Sequence, residues 1–413
     1  LKGCENKHMI PRFKPYFTFD EIKAIIGEKE NIIYNFEKKF ANIVNAKYAV
    51  SFPSGRSGLY SLLKSLNISN KEIIIPAYTC LVVPAAIIAS GNKLRFVDIS
   101  LQDYNMELPA VPHILSKETA AIIPTHMYGT PMDVKTLREI VDKNVYIIED
   151  AAQAVLTKNV GKYSDAVFYS FNIEKQVFTF GGGMVTTNNE EIYEKLKTFK
   201  KHNFKPPSKT IESKKLFLLL HTPILFSDMF FRFILTLWET HASLIWKKRG
   251  WSLNNKHLPV EEIYLSNDFI ENYTRVQAAV GLSQLKKIKN NIKHRVEISK
   301  FYDEQLKDAV KKITLPILKN GSTFSHYTLR VENRKDFEIF MKRKGVQINK
   351  VFDYSIPHIP VFNKYTRDKE EYPHAYIAGK NNVNLPIYPQ LWYNKNKLQH
   401  IIECVKEYDK KQL

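Results

Sequence analysis

The part of this sequence best suited to covalent chemistry is a lysine that lies shortly before three consecutive glycines. Lys175 ends the segment Ser170-Phe171-Asn172-Ile173-Glu174-Lys175, and Gly181–Gly183 follow it. A partly desolvated lysine can bond covalently to an aldehyde, and glycines let other groups approach the backbone closely. The hydroxyl of Ser170 could donate to a phosphate. An isolated lysine is more simply a solvated surface charge, so the prediction depends on its neighbours.

A carboxylate that follows an apolar run provides the second candidate. Asp150 ends the run Ile147-Ile148-Glu149-Asp150, and Gln153 lies three residues further on. An anion in this position can keep a pyridine nitrogen protonated, which makes the ring of pyridoxal phosphate an electron sink. The alternative is that Asp150 caps a helix.

A turn that runs into a helix provides the third candidate. The segment Phe52-Pro53-Ser54-Gly55-Arg56 predicts a helix start, where free backbone N–H groups bind phosphate. The guanidinium of Arg56 suits the same ligand. Alternatively, Ser54 is only an N-cap, so this loop alone is weak support.

The elements that position these residues are strands alternating with helices. Helical spacing occurs at 21–43, 57–66 and 133–141, and short apolar runs occupy 49–52, 72–76, 94–98, 120–124, 145–150 and 166–170. This alternation predicts an α/β fold with a largely parallel central sheet flanked by helices. Ligands bind beyond the carboxyl ends of such strands, where polar and turn-forming residues stand in this sequence.

The length of 413 residues allows two domains. We expect a large cofactor-binding domain over residues 10–265, with an apolar helical insert at about 205–258. A smaller α+β domain is expected over 266–413, with helical spacing after Asn272, a strand at 328–331 and helices at 334–343 and 395–408.

The net charge of +19 does not by itself identify a partner. Lysines and arginines are scattered along the chain without a nucleic-acid-binding motif, so no nucleic acid is expected. A lysine-rich solvated surface is the simplest interpretation, and a nucleotide-bearing substrate is compatible with it. The cysteines Cys4, Cys80 and Cys404 form neither a disulfide framework nor zinc spacing, which predicts a cytoplasmic protein without a metal. Residues 1–8 are too short and too charged to be a signal peptide.

Six motifs in a fixed order resemble the DegT/DnrJ/EryC1/StrS family. They are Ser54-Gly55, Pro76-Ala77-Tyr78-Thr79, the segment from Pro124-Thr125-His126 to Asp133, Glu149-Asp150-Ala151-Ala152-Gln153-Ala154, Ser170-Phe171 with Lys175, and Gln277-Ala278-Ala279-Val280-Gly281. The resemblance implies a fold-type-I aminotransferase with pyridoxal 5'-phosphate as cofactor. It further implies a nucleotide-linked keto-sugar as acceptor, glutamate as amino donor and a homodimer with its active site at the subunit interface.

The resemblance also implies roles for the matching residues. Lys175 would hold the cofactor and shuttle a proton, Asp150 would pair with the pyridine nitrogen, and Gln153 would lie near the ring. Ser170 and the backbone of Gly55 and Arg56 would bind the phosphate. His126 is a candidate for substrate binding. Relatives with histidine in place of the lysine catalyse deoxygenation, so Lys175 implies transamination.

Three departures from the family pattern concern the contacts around the cofactor and substrate. Arg56 stands where the family usually has threonine. Cys80 stands where an aromatic residue normally stacks on the ring, so it lies over the cofactor or simply packs in a small apolar space. The usual Asn-x-Arg before the Ala-Ala helix is replaced by Ile270-Glu271-Asn272, and Asn272 or Arg275 could substitute for it.

The apolar stretch Leu216–Trp246, followed by Lys247-Lys248-Arg249, is too often interrupted by ionisable residues to span a bilayer. One interpretation is a helix buried in the dimer interface or over the small domain. The other is an amphipathic element over 216–249 that rests on an anionic membrane and serves a lipid-linked substrate. Rival functions are a pyridoxal-phosphate enzyme with another reaction, such as a dehydratase, and a non-catalytic membrane scaffold.

Overall fold

A seven-stranded sheet is the centre of the computed structural model, which describes residues 9–27, 30–227, 269–365 and 372–412. Its strands are β1 (Tyr48–Phe52), β2 (Glu72–Pro76), β3 (Lys93–Val97), β4 (Thr119–Ile122), β5 (Tyr146–Asp150), β6 (Ala166–Ser170) and β7 (Gly183–Thr187). They lie in the order β1-β7-β6-β5-β4-β2-β3. All neighbouring pairs from β3 to β6 are parallel, which confirms the predicted α/β class with a mostly parallel sheet.

Strand β7 is the strand of this sheet that was not predicted. It pairs antiparallel with both β1 and β6, and all of its residues are buried. Its sequence, Gly-Met-Val-Thr-Thr, begins in the triple glycine and is too short to show a clear period. Because β7 lies between β1 and β6, the start of the helix that follows β1 lies next to the end of β6.

Helices cover both faces of the sheet and build the smaller C-terminal part. Their bounds are α1 (Asp20–Ile26), α2 (Ile32–Ile43), α3 (Gly55–Ser65), α4 (Val82–Ala89), α5 (Val111–Ile114), α6 (Val134–Ile140), α7 (Glu190–Asn203), α8 (Lys209–Leu225), α9 (Arg275–Leu306), α10 (Arg334–Arg343), α11 (Pro373–Asn381) and α12 (Lys395–Lys411). The helical stretch predicted at 21–43 is therefore two helices. Asn31, in the left-handed region at φ 60°, begins the second.

The 32-residue helix α9 is shared by the two parts of the chain. Near its start, Val276 and Val280 pack against Phe178 and Phe180 of the large part. Near its end, Tyr302 belongs to the core of the smaller part, with strands β8 (Tyr327–Arg330) and β9 (Asn382–Leu385). The two parts therefore meet along this helix, and the boundary at residue 266 stays a prediction.

The N-terminal helices pack on α9 as well. A Cβ at Gly281 would lie 2.4 Å from the Phe36 ring, so α2 and α9 are in direct contact. The buried carboxylate of Glu21 accepts hydrogen bonds from Ser283 and Gln284 and pairs with Lys287 at 2.7 Å. These contacts join residues near the start of the chain to a helix more than 200 positions later.

Only the first part of the apolar insert lies within the described residues. Helix α8 begins at the Ser208 cap and ends at Leu225, and Leu219 and Thr222 are its buried members. The rest of the predicted amphipathic element, residues 228–249, lies outside the described residues, as do residues 1–8. No helix in the described ranges has the length and apolarity needed to cross a membrane.

Candidate active site

A cavity of about 470 Å³ lies beyond the carboxyl ends of β1, β2, β4, β5 and β6. This is the edge of the sheet where the sequence predicted a ligand. The predicted cofactor residues all line the cavity: Gly55, Arg56, Cys80, Asp150, Gln153, Ser170 and Lys175. Among the predicted substrate residues, Asn272 lines it, whereas the lining includes neither His126 nor Arg275.

Asp150 is the last residue of β5 and is 3% exposed. Its Oδ1 accepts a hydrogen bond from the Ala152 N–H at 3.0 Å. Burial raises the pKa of Asp150 to about 6, and the Ala152 N–H and the charge of Lys175 only partly offset that rise. A buried carboxylate whose charge is only partly compensated is stabilised most by a cationic partner placed in the cavity.

His126 lies among buried groups next to this strand and uses both ring nitrogens there. Its Nδ1 accepts the Met132 N–H at 3.1 Å, so Nε2 carries the proton and donates to Glu149 at 2.5 Å. Glu149 also accepts hydrogen bonds from the Gly161 N–H and the Ser164 hydroxyl. Since the ring is 1% exposed and both nitrogens are engaged, His126 supports the end of β5. The cavity lining does not include His126, and its substrate role stays a prediction.

Lys175 is positioned by a turn after β6. Its N–H donates to the Asn172 carbonyl at 2.9 Å, and its side chain is 13% exposed. The Nζ atom lies 3.8 Å from Oε1 of Glu174, which also lines the cavity. Further along, the N–H groups of Thr179 and Gly181 both donate to the Phe171 carbonyl, which closes the loop. The ammonium is therefore held at the cavity wall on a short, internally bonded turn.

The glycines after Lys175 are required by close packing. A Cβ at Gly183 would lie 2.3 Å from the backbone N of Gly55, and one at Gly182 would lie 2.4 Å from the Tyr273 ring. Likewise, a Cβ at Gly55 would lie 2.8 Å from the Tyr169 carbonyl. These approaches bring the first turn of α3 beside Ser170. The first N–H groups of a helix have no partner within the helix, so this corner is suited to bind a phosphate.

Polar groups and a thiol complete the wall around the expected ring position. Oε1 of Gln153 accepts hydrogen bonds from the Tyr128 N–H at 3.0 Å and the Ser325 hydroxyl at 3.3 Å, which fixes the Gln153 side chain. Burial raises the pKa of the Cys80 thiol, so this side chain is a neutral, polarisable wall. The hydroxyls of Thr79 and Thr125, which the sequence analysis did not single out, lie 3.3 Å apart beside it.

Of the departures from the family pattern, the replacement of Asn-x-Arg lies at the outer side of the cavity. Asn272 lines the cavity, and its Oδ1 is buried with no hydrogen-bond partner among the described residues. Arg275 is the exposed first residue of α9 and does not line the cavity. The guanidinium carbon of Arg56 lies 6.0 Å from the centre of the Phe269 ring. Of the two proposed substitutes for Asn-x-Arg, only Asn272 reaches this cavity of its own chain.

Sequence reasoning missed the side chains that the insert contributes. Ile211, Lys214 and Lys215 of α8 line the cavity, as do Glu174, Glu271 and Gln277. The spacing of Ile211, Lys214 and Lys215 is that of one helix face, which was the available signal. The sequence alone could not show that this face meets the triple-glycine loop.

The residues of the cavity fit pyridoxal phosphate. A buried carboxylate without full charge compensation, a lysine amine, a serine hydroxyl and a helix start lined by closely packed glycines are the donors and acceptors that this cofactor needs. Fold and site together thus define the class of pyridoxal-phosphate-dependent transferases.

Comparison with known proteins narrows the class to a family. The model of the DegT/DnrJ/EryC1/StrS aminotransferase family matches residues 24–218 and 265–406. The chain belongs to this family. It is therefore an aminotransferase that uses pyridoxal phosphate, as the sequence analysis predicted.

Individual relatives match along nearly the whole chain. An uncharacterized protein of Methanocaldococcus jannaschii is 29% identical over 92% of this chain and 93% of its own length. GDP-perosamine synthase of Escherichia coli O157:H7 is 25% identical, with 97% and 98% covered. Among solved structures, that of DesV from S. venezuelae superimposes with a TM-score of 0.76 at 21% identity, covering 97% of this chain and 99% of that one.

Proposed function

We propose that this aminotransferase transfers an amino group from glutamate to a keto-sugar carried on a nucleotide. The observation that carries the proposal is the presence of Lys175 and Asp150 in one cavity, with the Gly55–Ser170 corner beside them. Curated relatives along the chain include GDP-perosamine synthases and a dTDP-4-amino-4,6-dideoxy-D-glucose transaminase of Shigella dysenteriae. Their names support a nucleotide-linked sugar as the acceptor.

Each side chain of the inner cavity would have one task. Asp150 would hold the pyridine nitrogen as a cation, and the first turn of α3 with Ser170 and Arg56 would hold the phosphate. Gln153, fixed by Tyr128 and Ser325, would lie against the ring. When bound, the cofactor supplies an electron sink for the carbon that loses its proton.

Lys175 would act twice. Its ε-amine would first hold the cofactor covalently and would then carry the proton between the substrate carbon and the cofactor. The low exposure of the side chain limits exchange of that proton with water. Glu174, at 3.8 Å from Nζ, would keep a carboxylate beside the amine throughout.

Glutamate alone tests the first half of the proposal. Purified protein reconstituted with pyridoxal phosphate should lose its yellow colour when glutamate is added, and 2-oxoglutarate and pyridoxamine phosphate should appear in equal amounts. The Lys175→Ala protein should show neither product. A wild-type protein that binds the cofactor but leaves glutamate unchanged would contradict glutamate as the donor, and absence of bound cofactor would favour the non-catalytic scaffold.

The second half of the proposal requires the acceptor. A panel of nucleotide-linked keto-sugars is offered to the pyridoxamine-phosphate form, and return of the colour with formation of an amino-sugar is measured by mass spectrometry. Loss of water from the sugar without gain of nitrogen would identify a dehydratase instead.

We also propose that the protein is a homodimer. The family's active site lies at a subunit interface, and the buried, unpartnered Oδ1 of Asn272 at the outer cavity is suited to a group from outside this part of the chain. Light scattering of the purified protein should give a mass near twice 48.1 kDa. A monomer that still transaminates would contradict this proposal.

A further inference from the structure

Helix α8 is fixed over the cavity near both of its ends. At its start, the Ser208 N–H donates to Glu271 at 2.9 Å, and Glu212 accepts the Val276 N–H of α9 at 3.1 Å. Further along, Leu219 is buried against Phe178 and Phe180. The helix is therefore anchored to the cavity wall.

The anchored helix turns two lysines toward the cavity. Lys214 and Lys215 line it together with Ile211, at the spacing of one helix face. Lys215 Nζ donates to the Phe180 carbonyl at 2.5 Å and would lie 3.3 Å from a Cβ at Gly181. Lys214 is exposed, and within the described residues it makes no ion pair with a carboxylate. The pair thus carries positive charge at the mouth of the cavity.

The proposed contacts with the cofactor do not involve the charges of Lys214 and Lys215. Among the described residues that line the cavity, the cationic side chains are Arg56, Lys175, Lys214 and Lys215. The proposed roles assign Arg56 to the cofactor phosphate and Lys175 to its aldehyde. Two adjacent ammonium groups at the mouth, of which Lys215 is held by the Phe180 carbonyl, suit a ligand with several anionic oxygens.

We propose that Lys214 and Lys215 form the subsite for the diphosphate of the nucleotide-linked acceptor. The inference rests on the proposed function and assigns one part of its substrate to named residues. A sugar that reacts beside the 13%-exposed Lys175 would extend outward and place its diphosphate at the rim, where Lys214 is exposed. A glutamate donor that reacts at Lys175 is too short to reach the rim at Lys214. Its carboxylates are therefore less suitable ligands for the lysine pair than a diphosphate is.

Binding of free nucleotides to the cofactor-loaded protein tests the subsite without catalysis. Calorimetry with UDP, GDP and dTDP should give binding that Lys214→Gln weakens about tenfold, because a charge-assisted contact is lost. The double variant Lys214→Gln/Lys215→Gln should bind still more weakly. Lys209→Gln, a loss of the same charge from an exposed position of α8 outside the cavity, should bind like wild type. Retained cofactor absorbance and an unchanged Tm show that the variants are folded.

The outcomes separate this inference from the proposed function. If wild type binds a nucleoside diphosphate and Lys214→Gln and the double variant bind it equally well, the lysine subsite is wrong while the nucleotide-linked acceptor stands. If wild type binds none of the three, the nucleotide part of the proposed function fails. A tenfold loss in the rate of the glutamate half-reaction of Lys214→Gln, with nucleoside diphosphate binding as in wild type, would assign the lysine to the donor and overturn the inference.

Discussion

The inner and outer halves of the cavity are built in different ways. The inner half, around Asp150, Ser170 and Lys175, stands on strand ends and on closely packed glycines, where even one methyl group would overlap the backbone. The outer half is formed by side chains of α8 and of residues 269–272, and it includes an exposed lysine and an amide oxygen without a partner among the residues that the structure describes. The first half is shaped by backbone and the second by side chains.

This difference shows which half can vary. A site made by backbone approach tolerates almost no substitution, whereas side chains on a helix face can change without moving the sheet. Binding of one cofactor and discrimination among many sugars are thus physically separated within a single cavity. Substitutions in the inner half should therefore affect every reaction of the protein, and those in the outer half should affect one substrate.

Loss of Lys175 should have the largest effect. Lys175→Ala removes both the covalent hold on the cofactor and the proton carrier, so transamination should fall by about 10³-fold or more. Lys175→Arg, which keeps the charge, should be equally inactive. The checks are steady-state rates and the mass of the cofactor-bearing peptide after borohydride reduction, which should appear for wild type only.

Gly183→Ala should disrupt the inner half through backbone overlap alone. Its Cβ would lie 2.3 Å from N and 2.6 Å from Cα of Gly55, so α3 must move. We expect a loss of about 3 kcal/mol in the free energy of unfolding and much weaker cofactor binding. In Gly27→Ala, the matched control, the nearest atom is the Lys23 carbonyl oxygen at 3.9 Å, and stability should change by less than about 0.5 kcal/mol. Equal Tm values for the two variants would contradict the importance of close backbone packing at Gly183.

Asp150→Asn should stabilise the cofactor-free protein and destabilise the loaded one. Burial raises the pKa of Asp150 from 3.8 to about 6, so its ionisation opposes folding, and stability is lost as the pH rises through this window. The folding free energy lost through ionisation of Asp150 is at most about 3 kcal/mol. This loss is present in full above pH 6 and absent below pH 3.8. Denaturation of both cofactor-free proteins between pH 4.5 and 8 should show the gain growing with pH. A gain that is independent of pH would contradict this account.

Arg56→Ala should weaken cofactor binding about tenfold, as expected for one charge-assisted contact to a phosphate. Arg56→Thr, which restores the residue typical of the family, should bind more tightly than the alanine variant. Equilibrium dialysis of pyridoxal phosphate against the three proteins measures the order. An alanine variant that binds the cofactor like wild type would show that Arg56 does not serve the cofactor, and would assign it to the outer half of the cavity.

Cys80→Tyr should change cofactor binding or Tm least among these variants. The direction of the change shows whether Cys80 faces the cofactor ring. If the thiol faces the ring, an aromatic replacement should stack on it and strengthen cofactor binding by about 0.5–1.5 kcal/mol. If Cys80 only packs in a small space, the larger side chain should lower Tm instead. Cofactor titration and melting curves of the variant and wild type distinguish the two.

The inner half and most of the sheet were predictable from the sequence, and the outer half was not. Six short apolar runs became β1–β6 because a largely buried strand is recognisable from a few consecutive apolar residues. Strand β7 escaped because five residues that start in glycine carry little pattern. Asp150 and Lys175 stand next to strands and could be located, whereas Lys214 depends on how α8 docks on α9. The sequence also could not show that the buried ring of His126 donates a hydrogen bond to Glu149.

The contacts between the N-terminal helices and α9 also determine the order in which the chain can fold during synthesis. Phe36 packs on Gly281 and Glu21 bonds to Ser283, so the contacts that α1 and α2 make with α9 cannot form until about 250 further residues have been made. At about 5–20 residues per second, this takes on the order of 12–50 s. During that time the apolar face of α2 lacks the part of its native cover that α9 supplies, and residues made before α9, such as those of β1 and Phe171, supply the rest.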